Sequence, residues 1–145
     1  MYFSMSKKIY FSQTELMDCG PACLKMICIY LKKNISIEYI KNICKLTTNG
    51  TSLYNLQQSS RSIGIDCTAT KLTLFELYTV VTLPCILFFH GAHYVVIPPQ
   101  DITKDSVIIY DPNQTGIRTI DIKELVHSWI VGNEKKGYAL IFGTK

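Results

Sequence analysis

From Gly20 to Leu31 the chain is apolar at nearly every position, and Lys25 and Lys32 mark a narrow exposed stripe. A helix that is apolar on almost every side is buried centrally. Pro21 stands in its first turn, where a missing N–H costs nothing. Ser36 is placed to cap a second helix running to about Cys44, and Ser52 a third from Leu53 to Ser62, ended by Gly64 where a left-handed residue is wanted. Thr73 and Glu76 have the spacing of a capping box for a short fourth helix. The period then changes. Cys85 to Phe89 and Tyr94 to Ile97 are short apolar runs separated by His90-Gly91-Ala92-His93, and Val107 to Tyr110 is a third, closed by Asp111-Pro112-Asn113. Ile117 to Ile120 is a fourth strand. Asp121, with Glu124 three residues on, starts a last helix through Trp129, and Tyr138 to Phe142 closes the chain as a strand. Helices first and an antiparallel sheet afterwards is an α+β pattern.

The 145 residues suit one domain with a real core, taken as residues 1–145, and no repeat or linker divides them. Apolar residues make up 48% and charged residues 18%, well away from disorder. The net charge of +4 is scattered, its densest groups being Lys7-Lys8, Lys32-Lys33 and Lys135-Lys136. Without a basic stripe interleaved with aromatics, nucleic acid is not expected as a partner. The mild excess suits an anionic membrane surface or an acidic peptide. Leu77 to Gln100 holds no Asp, Glu, Lys or Arg and could span a bilayer. Pro84, His90, Gly91, His93, Pro98 and Pro99 interrupt it, so two buried strands joined by a turn are expected instead. The start, Met-Tyr-Phe-Ser-Met-Ser-Lys-Lys, lacks the apolar core and cleavage site of a signal peptide, which points to the cytosol. Six irregularly spaced cysteines then read as reduced thiols, mostly buried.

One of those thiols is differently placed. Cys19 immediately precedes Gly20-Pro21 and so falls at a helix N-terminus, where a thiolate is stabilised. Gln13, six residues upstream, offers an amide that can fold back beside it as an oxyanion donor. A cysteine nucleophile also needs a base and a group that orients the base. His90, His93 and His127 are the available imidazoles. His93 opens a strand and Asp111 ends the next strong one. If those strands are antiparallel neighbours, the two side chains meet at one edge of the sheet.

These residues resemble the bacteriocin-processing peptidase domain at the N-terminus of peptidase-containing ABC transporters, a papain-like cysteine peptidase. The resemblance runs through Gln13 to Leu24, Gly50-Thr51-Ser52-Leu53, Gly64, Leu83 to Leu87, His93-Tyr94-Val95-Val96, Asp111-Pro112 with Gly116, Trp129, and Tyr138-Ala139-Leu140. It implies Cys19 as nucleophile, His93 as base and then acid, Asp111 as orienting group, and Gln13 with the Cys19 N–H as oxyanion hole. It implies a papain-like fold, with N-terminal helices packed on a C-terminal antiparallel sheet, and no metal or cofactor. The implied substrate is a precursor peptide cut after a double-glycine-type leader at the cytosolic face of the membrane, before export. The leader would bind as an amphipathic helix in an apolar surface groove. The membrane and nucleotide-binding domains of a transporter would be further partners.

Blander roles are expected for the neighbours. Cys23, one turn after Cys19, is expected to pack in the core. Asp18 is expected to cap the helix, since a carboxylate so close would disfavour a thiolate. His127 is expected at the surface. Cys19 and Cys23 with His90 and His93 could mimic a zinc site, but that set explains neither Asp111 nor Gln13. The alternative of another class is a peptidase-like domain of an ABC exporter that binds substrate without cutting it.

Overall fold

The computed structural model describes residues 7–47, 50–100, 105–113 and 116–143. The amino-terminal residues weighed above as a signal peptide fall largely outside them, as do Thr144 and Lys145. A 3-10 turn (Lys7–Ile9) leads to α1 (Cys19–Tyr30), α2 (Ile37–Ile43) and α3 (Leu53–Ser62). Then follow β1 (Cys67–Thr73), α4 (Leu74–Thr79), the hairpin β2 (Cys85–Phe89) and β3 (His93–Ile97), and the hairpin β4 (Ser106–Asp111) and β5 (Gly116–Asp121). Helix α5 (Ile122–Trp129), the short β6 (Ile130–Val131) and β7 (Lys136–Phe142) complete the order. The strands form one antiparallel sheet ordered β1-β7-β2-β3-β4-β5, with β6 paired to β7 beside that path.

Alternation along the strands builds two cores. Ile86, Val96 and Leu140 face α1 to α3 and pack with Leu24, Ile27, Ile40 and Leu56. Their neighbours Leu87, Val95 and Ala139 face the other way and pack with Leu77, Leu125 and Trp129 of α4 and α5. Helix α1 is the most enclosed helix, as its pattern requires: Cys19 to Leu24 and Met26 to Cys28 are all buried.

The caps follow the sequence at three helices. The Ser36 and Ser52 hydroxyls accept from the backbone N–H of Tyr39 and Asn55 at 3.1 Å. Thr73 and Glu76 form the full capping box. Gly64 ends α3 at φ +84°, the left-handed conformation that glycine adopts without penalty. Two acidic residues do not cap as expected. Asp121 precedes α5 without a side-chain cap bond. Asp18 precedes α1, but its Oδ2 accepts from Thr14 Oγ1 at 3.2 Å and pairs with Lys41 Nζ at 3.1 Å. Its Oδ1 is buried without a partner, so the carboxylate is aligned on Thr14 and α2 and makes no bond to the first turn of α1.

The architecture has the expected layers and adds two features to them. Helices α4 and α5 cover the second face of the sheet. Strand β1, inside the half that reads as helical, joins the sheet at its edge beside β7. Its two most buried apolar residues, Cys67 and Leu72, fall on opposite faces, so no period-2 pattern advertises it. Helix α3 covers its open edge: Gln57 Oε1 accepts from Ala69 N–H at 2.7 Å, and Arg61 donates to the Cys67 carbonyl at 2.9 Å. The charge-free stretch from Leu77 to Gln100 contains the end of α4 and the β2–β3 hairpin. Among the described residues no helix is long and apolar enough to cross a membrane.

Candidate active site

Cys19 is the first residue of α1 and 7% exposed, at the floor of a cleft of about 550 Å³. The first-turn N–H groups of a helix have no intrahelical acceptor, so this end is electropositive and donor-rich. Gly20 explains how the helix end fits so closely under the cleft wall. A Cβ there would lie 2.6 Å from Thr51 Cγ2. His93 enters the same cleft from the start of β3. The loop before it holds Gly91 and Ala92 at φ +83° and +57°, a conformation that strains alanine. That twist turns the Ala92 carbonyl toward Cys19, whose Sγ lies 3.8 Å away.

The antiparallel pairing of β3 with β4 is present, with Val96 opposite Tyr110. Following that register, Asp111 is a diagonal cross-strand neighbour of His93 on the same face. Their side chains meet: His93 Nε2 and Asp111 Oδ1 are 2.8 Å apart. Cys19 lies on the same cleft as the imidazole. Asp111 is 3% exposed and amply supplied with donors. Besides His93, Oδ1 accepts the Asn113 N–H at 3.0 Å, and Oδ2 lies 3.4 Å from the Arg118 guanidinium.

Two opposed effects set the charge of His93. Burial alone would favour the neutral ring; the hydrogen bonds to Asp111 and Cys19 and their charges outweigh it and raise the pKa to about 9. Asp111 shows the mirror image. Burial pushes its carboxyl up, but His93, the Asn113 N–H and Arg118 bring it below the ordinary value. The pair thus favours an imidazolium held against a carboxylate once His93 has taken a proton.

Gln13 lines the cleft, and the reason lies some hundred residues away. Its backbone N–H donates to the Pro112 carbonyl at 2.8 Å. The Tyr10 hydroxyl donates to the carbonyls of Asp111 at 2.6 Å and Asn113 at 2.9 Å. The amino-terminal segment is thereby strapped to the β4–β5 turn. The Gln13 amide donates to the carbonyls of Glu15 (2.9 Å) and Leu16 (3.2 Å), and its Oε1 is buried without a partner. To reach an oxyanion at Cys19, one of those N–H groups must turn into the cleft.

The remaining candidates separate cleanly. His90 is exposed, with Nε2 3.0 Å from the Ile130 carbonyl, and stays outside the cleft. His127 is exposed on α5. Cys23 is fully buried, and loss of solvation pushes its thiol well above the ordinary range. Burial likewise raises Cys44 to about 11 and Cys85 to about 12. With His90 turned to Ile130, the four groups considered for zinc do not converge. Sequence reading overlooked Arg118, although its place beside Asp111 follows from the β4–β5 hairpin register, where Asp111 faces Gly116.

A second, larger depression of about 910 Å³ adjoins the cleft across Gly50, Thr51, Ala92 and Tyr94. Its lining is largely apolar and aromatic and includes Leu53, Tyr54, Phe88 and Tyr138, with Lys71 on it. Tyr54 is 64% exposed. Tyr94 forms part of the shared wall; its hydroxyl donates to the Thr51 carbonyl at 2.9 Å and its ring lies 4.8 Å from Phe88.

This fold recurs in known proteins. A solved double glycine motif protease from an AMS/PCAT transporter, in complex with the leader peptide, superposes with a TM-score of 0.83 at 26% identity, over 94% of this chain and 91% of that one. The peptidase domain of Streptococcus ComA, described as a bi-functional ABC transporter involved in a quorum sensing pathway, shares the fold at a TM-score of 0.80 and 22% identity, over 93% of this chain and 97% of that one. In sequence, the colicin V secretion/processing ATP-binding protein CvaB of Escherichia coli is 34% identical over 113 residues, 78% of this chain and 16% of the relative. The transport/processing ATP-binding protein ComA of Streptococcus pneumoniae is 34% identical over 113 residues, 74% of this chain and 15% of the relative. The chain thus spans about one sixth of the length of these curated relatives. The profile of the Peptidase C39 family matches residues 7–140, taking in the cysteine, the histidine and the aspartate, and the chain belongs to that family.

Proposed function

We propose that residues 1–145 form one peptidase domain that cuts the leader from a precursor peptide after a double-glycine-type site, with Cys19 as nucleophile. The observation that carries this reading is the 2.8 Å contact of His93 with Asp111 beside a cysteine at a helix N-terminus. His93 takes the Cys19 proton, and the thiolate attacks the carbonyl of the second small residue. The oxyanion develops at the end of α1, where the Cys19 N–H and the turned-in Gln13 amide receive it. His93 returns its proton to the leaving amine. Water, deprotonated by His93, then releases the leader and frees the thiol. Asp111 keeps the ring oriented through both halves.

The larger depression supplies recognition. An amphipathic leader helix laid against Tyr54, Phe88 and Tyr138 would direct its C-terminal residues over the shared wall to Cys19. The solved relative bound to a leader peptide supports this reading. Relatives named for secretion and processing support a place at the cytosolic face of a membrane, working with the membrane and nucleotide-binding domains of an ABC transporter.

The test is a precursor peptide with a Gly-Gly site incubated with the chain and its Cys19→Ala variant, the products being weighed by mass spectrometry. Cleavage after the second glycine by the parent and none by the variant is expected. Leader binding with no cleavage by the parent would instead identify the non-cleaving exporter domain.

A further inference from the structure

The His93–Asp111 pair does not end at Asp111. On the same face of the sheet, Arg118 of β5 places Nη2 3.4 Å from Asp111 Oδ2 and Nη1 3.5 Å from Glu124 Oε2 of α5. One guanidinium is shared between a carboxylate that is 4% exposed and one that is 51% exposed. Both separations exceed the 2.7–2.9 Å of a full charge-assisted hydrogen bond, so neither acid holds the guanidinium outright. Arg118 Nε is buried and unpartnered, which fixes the group less firmly than a five-donor fork allows. The other titratable groups near this chain of contacts are Tyr10, whose hydroxyl holds the Asp111 carbonyl, and Cys19 and Cys23 of α1.

We infer that Arg118 is a positioning residue for the catalytic pair, and that Glu124 sets how much of its charge Asp111 receives. Resting on the peptidase reading above, the inference gives Asp111 two jobs on two oxygens. Oδ1 orients His93, while Oδ2 is anchored by Arg118. The anchor also draws off part of the carboxylate's charge. A stronger Arg118–Asp111 contact makes Asp111 a poorer partner for the imidazolium, and a weaker one makes it a better partner but a looser one. Glu124 acts in the opposite sense because it competes for the same guanidinium. The surface of α5 thereby reaches the cleft through three contacts.

The experiment compares the parent chain with Arg118→Gln, Arg118→Lys and Glu124→Gln. Two readouts are taken: the pH profile of kcat/KM on a Gly-Gly precursor, and the titration of the His93 ring followed by NMR. In the parent both are expected to report loss of the imidazolium near pH 9, to which the contacts with Asp111 and Cys19 raise His93. Arg118→Gln should move the midpoint up and lower kcat about tenfold with KM little changed. Arg118→Lys should restore the midpoint and part of kcat, and Glu124→Gln, an exposed substitution, should move the midpoint down. Midpoints that coincide in all four proteins, or that move the same way in the Arg118→Gln and Glu124→Gln variants, would overturn the inference. The NMR titration separates the two readings: if the parent cuts no precursor, opposite shifts still establish the contact chain while the peptidase assignment falls.

Discussion

The narrow cleft and the broad depression beside it share a wall but are built on opposite principles. The cleft is the more polar of the two and is over-determined. Cys19, His93, Asp111 and Gln13 come from four separate segments, each fixed by hydrogen bonds to another. The depression is apolar and open, lined by side chains such as Tyr54 that stand exposed without a partner surface. Chemistry needs atoms held to fractions of an ångström. Recognition of a helix needs area and shape, and tolerates looser side chains. The two therefore should fail in different ways when altered.

The largest separation is expected from Cys19→Ala. Cleavage should fall by roughly 10⁶-fold, to background, because the covalent route is gone. Affinity for the leader, measured by calorimetry, should stay unchanged. A parallel loss of affinity would mean that the cleft, and not the depression, binds the leader. Next come the two partners. His93→Ala should cost between about 10²- and 10⁴-fold in kcat, the range of general acid–base catalysis. Asp111→Ala should cost less, about 10²-fold, since a misoriented base remains a base. The reverse order, with both proteins folded by circular dichroism, would assign Asp111 more than orientation.

On the other side of the wall, Tyr54→Ser should raise KM and leave kcat alone. Removing an aromatic anchor is worth roughly 1–2 kcal/mol, or about five- to thirtyfold. A fall in kcat instead would break the division of labour. The last test concerns stability and not turnover, and probes the wall itself. Gly20→Ala forces a methyl against Thr51 Cγ2, which should cost about 1–3 kcal/mol of stability and shift the start of α1. Thr51→Ser in the same chain removes that carbon and should return most of the loss in a denaturant melt.

The polar cleft was more legible in the sequence than the apolar depression, for a physical reason. Cys19 announces itself through the glycine and proline that follow it, and His93 and Asp111 stand at strand ends where polar residues interrupt apolar runs. The fold class and the helix caps at Ser36, Ser52 and Thr73 followed from period and spacing. The depression offers no such signal. Tyr54 and Tyr138 look like core residues until the fold leaves them uncovered. Strand β1 escaped because its buried residues do not alternate. Spacing suggests Asp18 as a local cap, whereas its partner Lys41 lies on another helix, a distance that spacing does not encode. Arg118 carries no reactive group to mark it in the sequence, although the hairpin register sets it beside Asp111.

The strap from Tyr10 and Gln13 to the β4–β5 turn has a consequence for synthesis. Those hydrogen bonds close over about a hundred residues of chain. On the ribosome the helix that carries the thiol emerges first, while its histidine, its aspartate and the anchor of its oxyanion donor are still unmade. The nascent chain is thus disarmed by its own topology, and reactivity arrives only when β3 and β4 exist to set His93 and Asp111 beside the thiol.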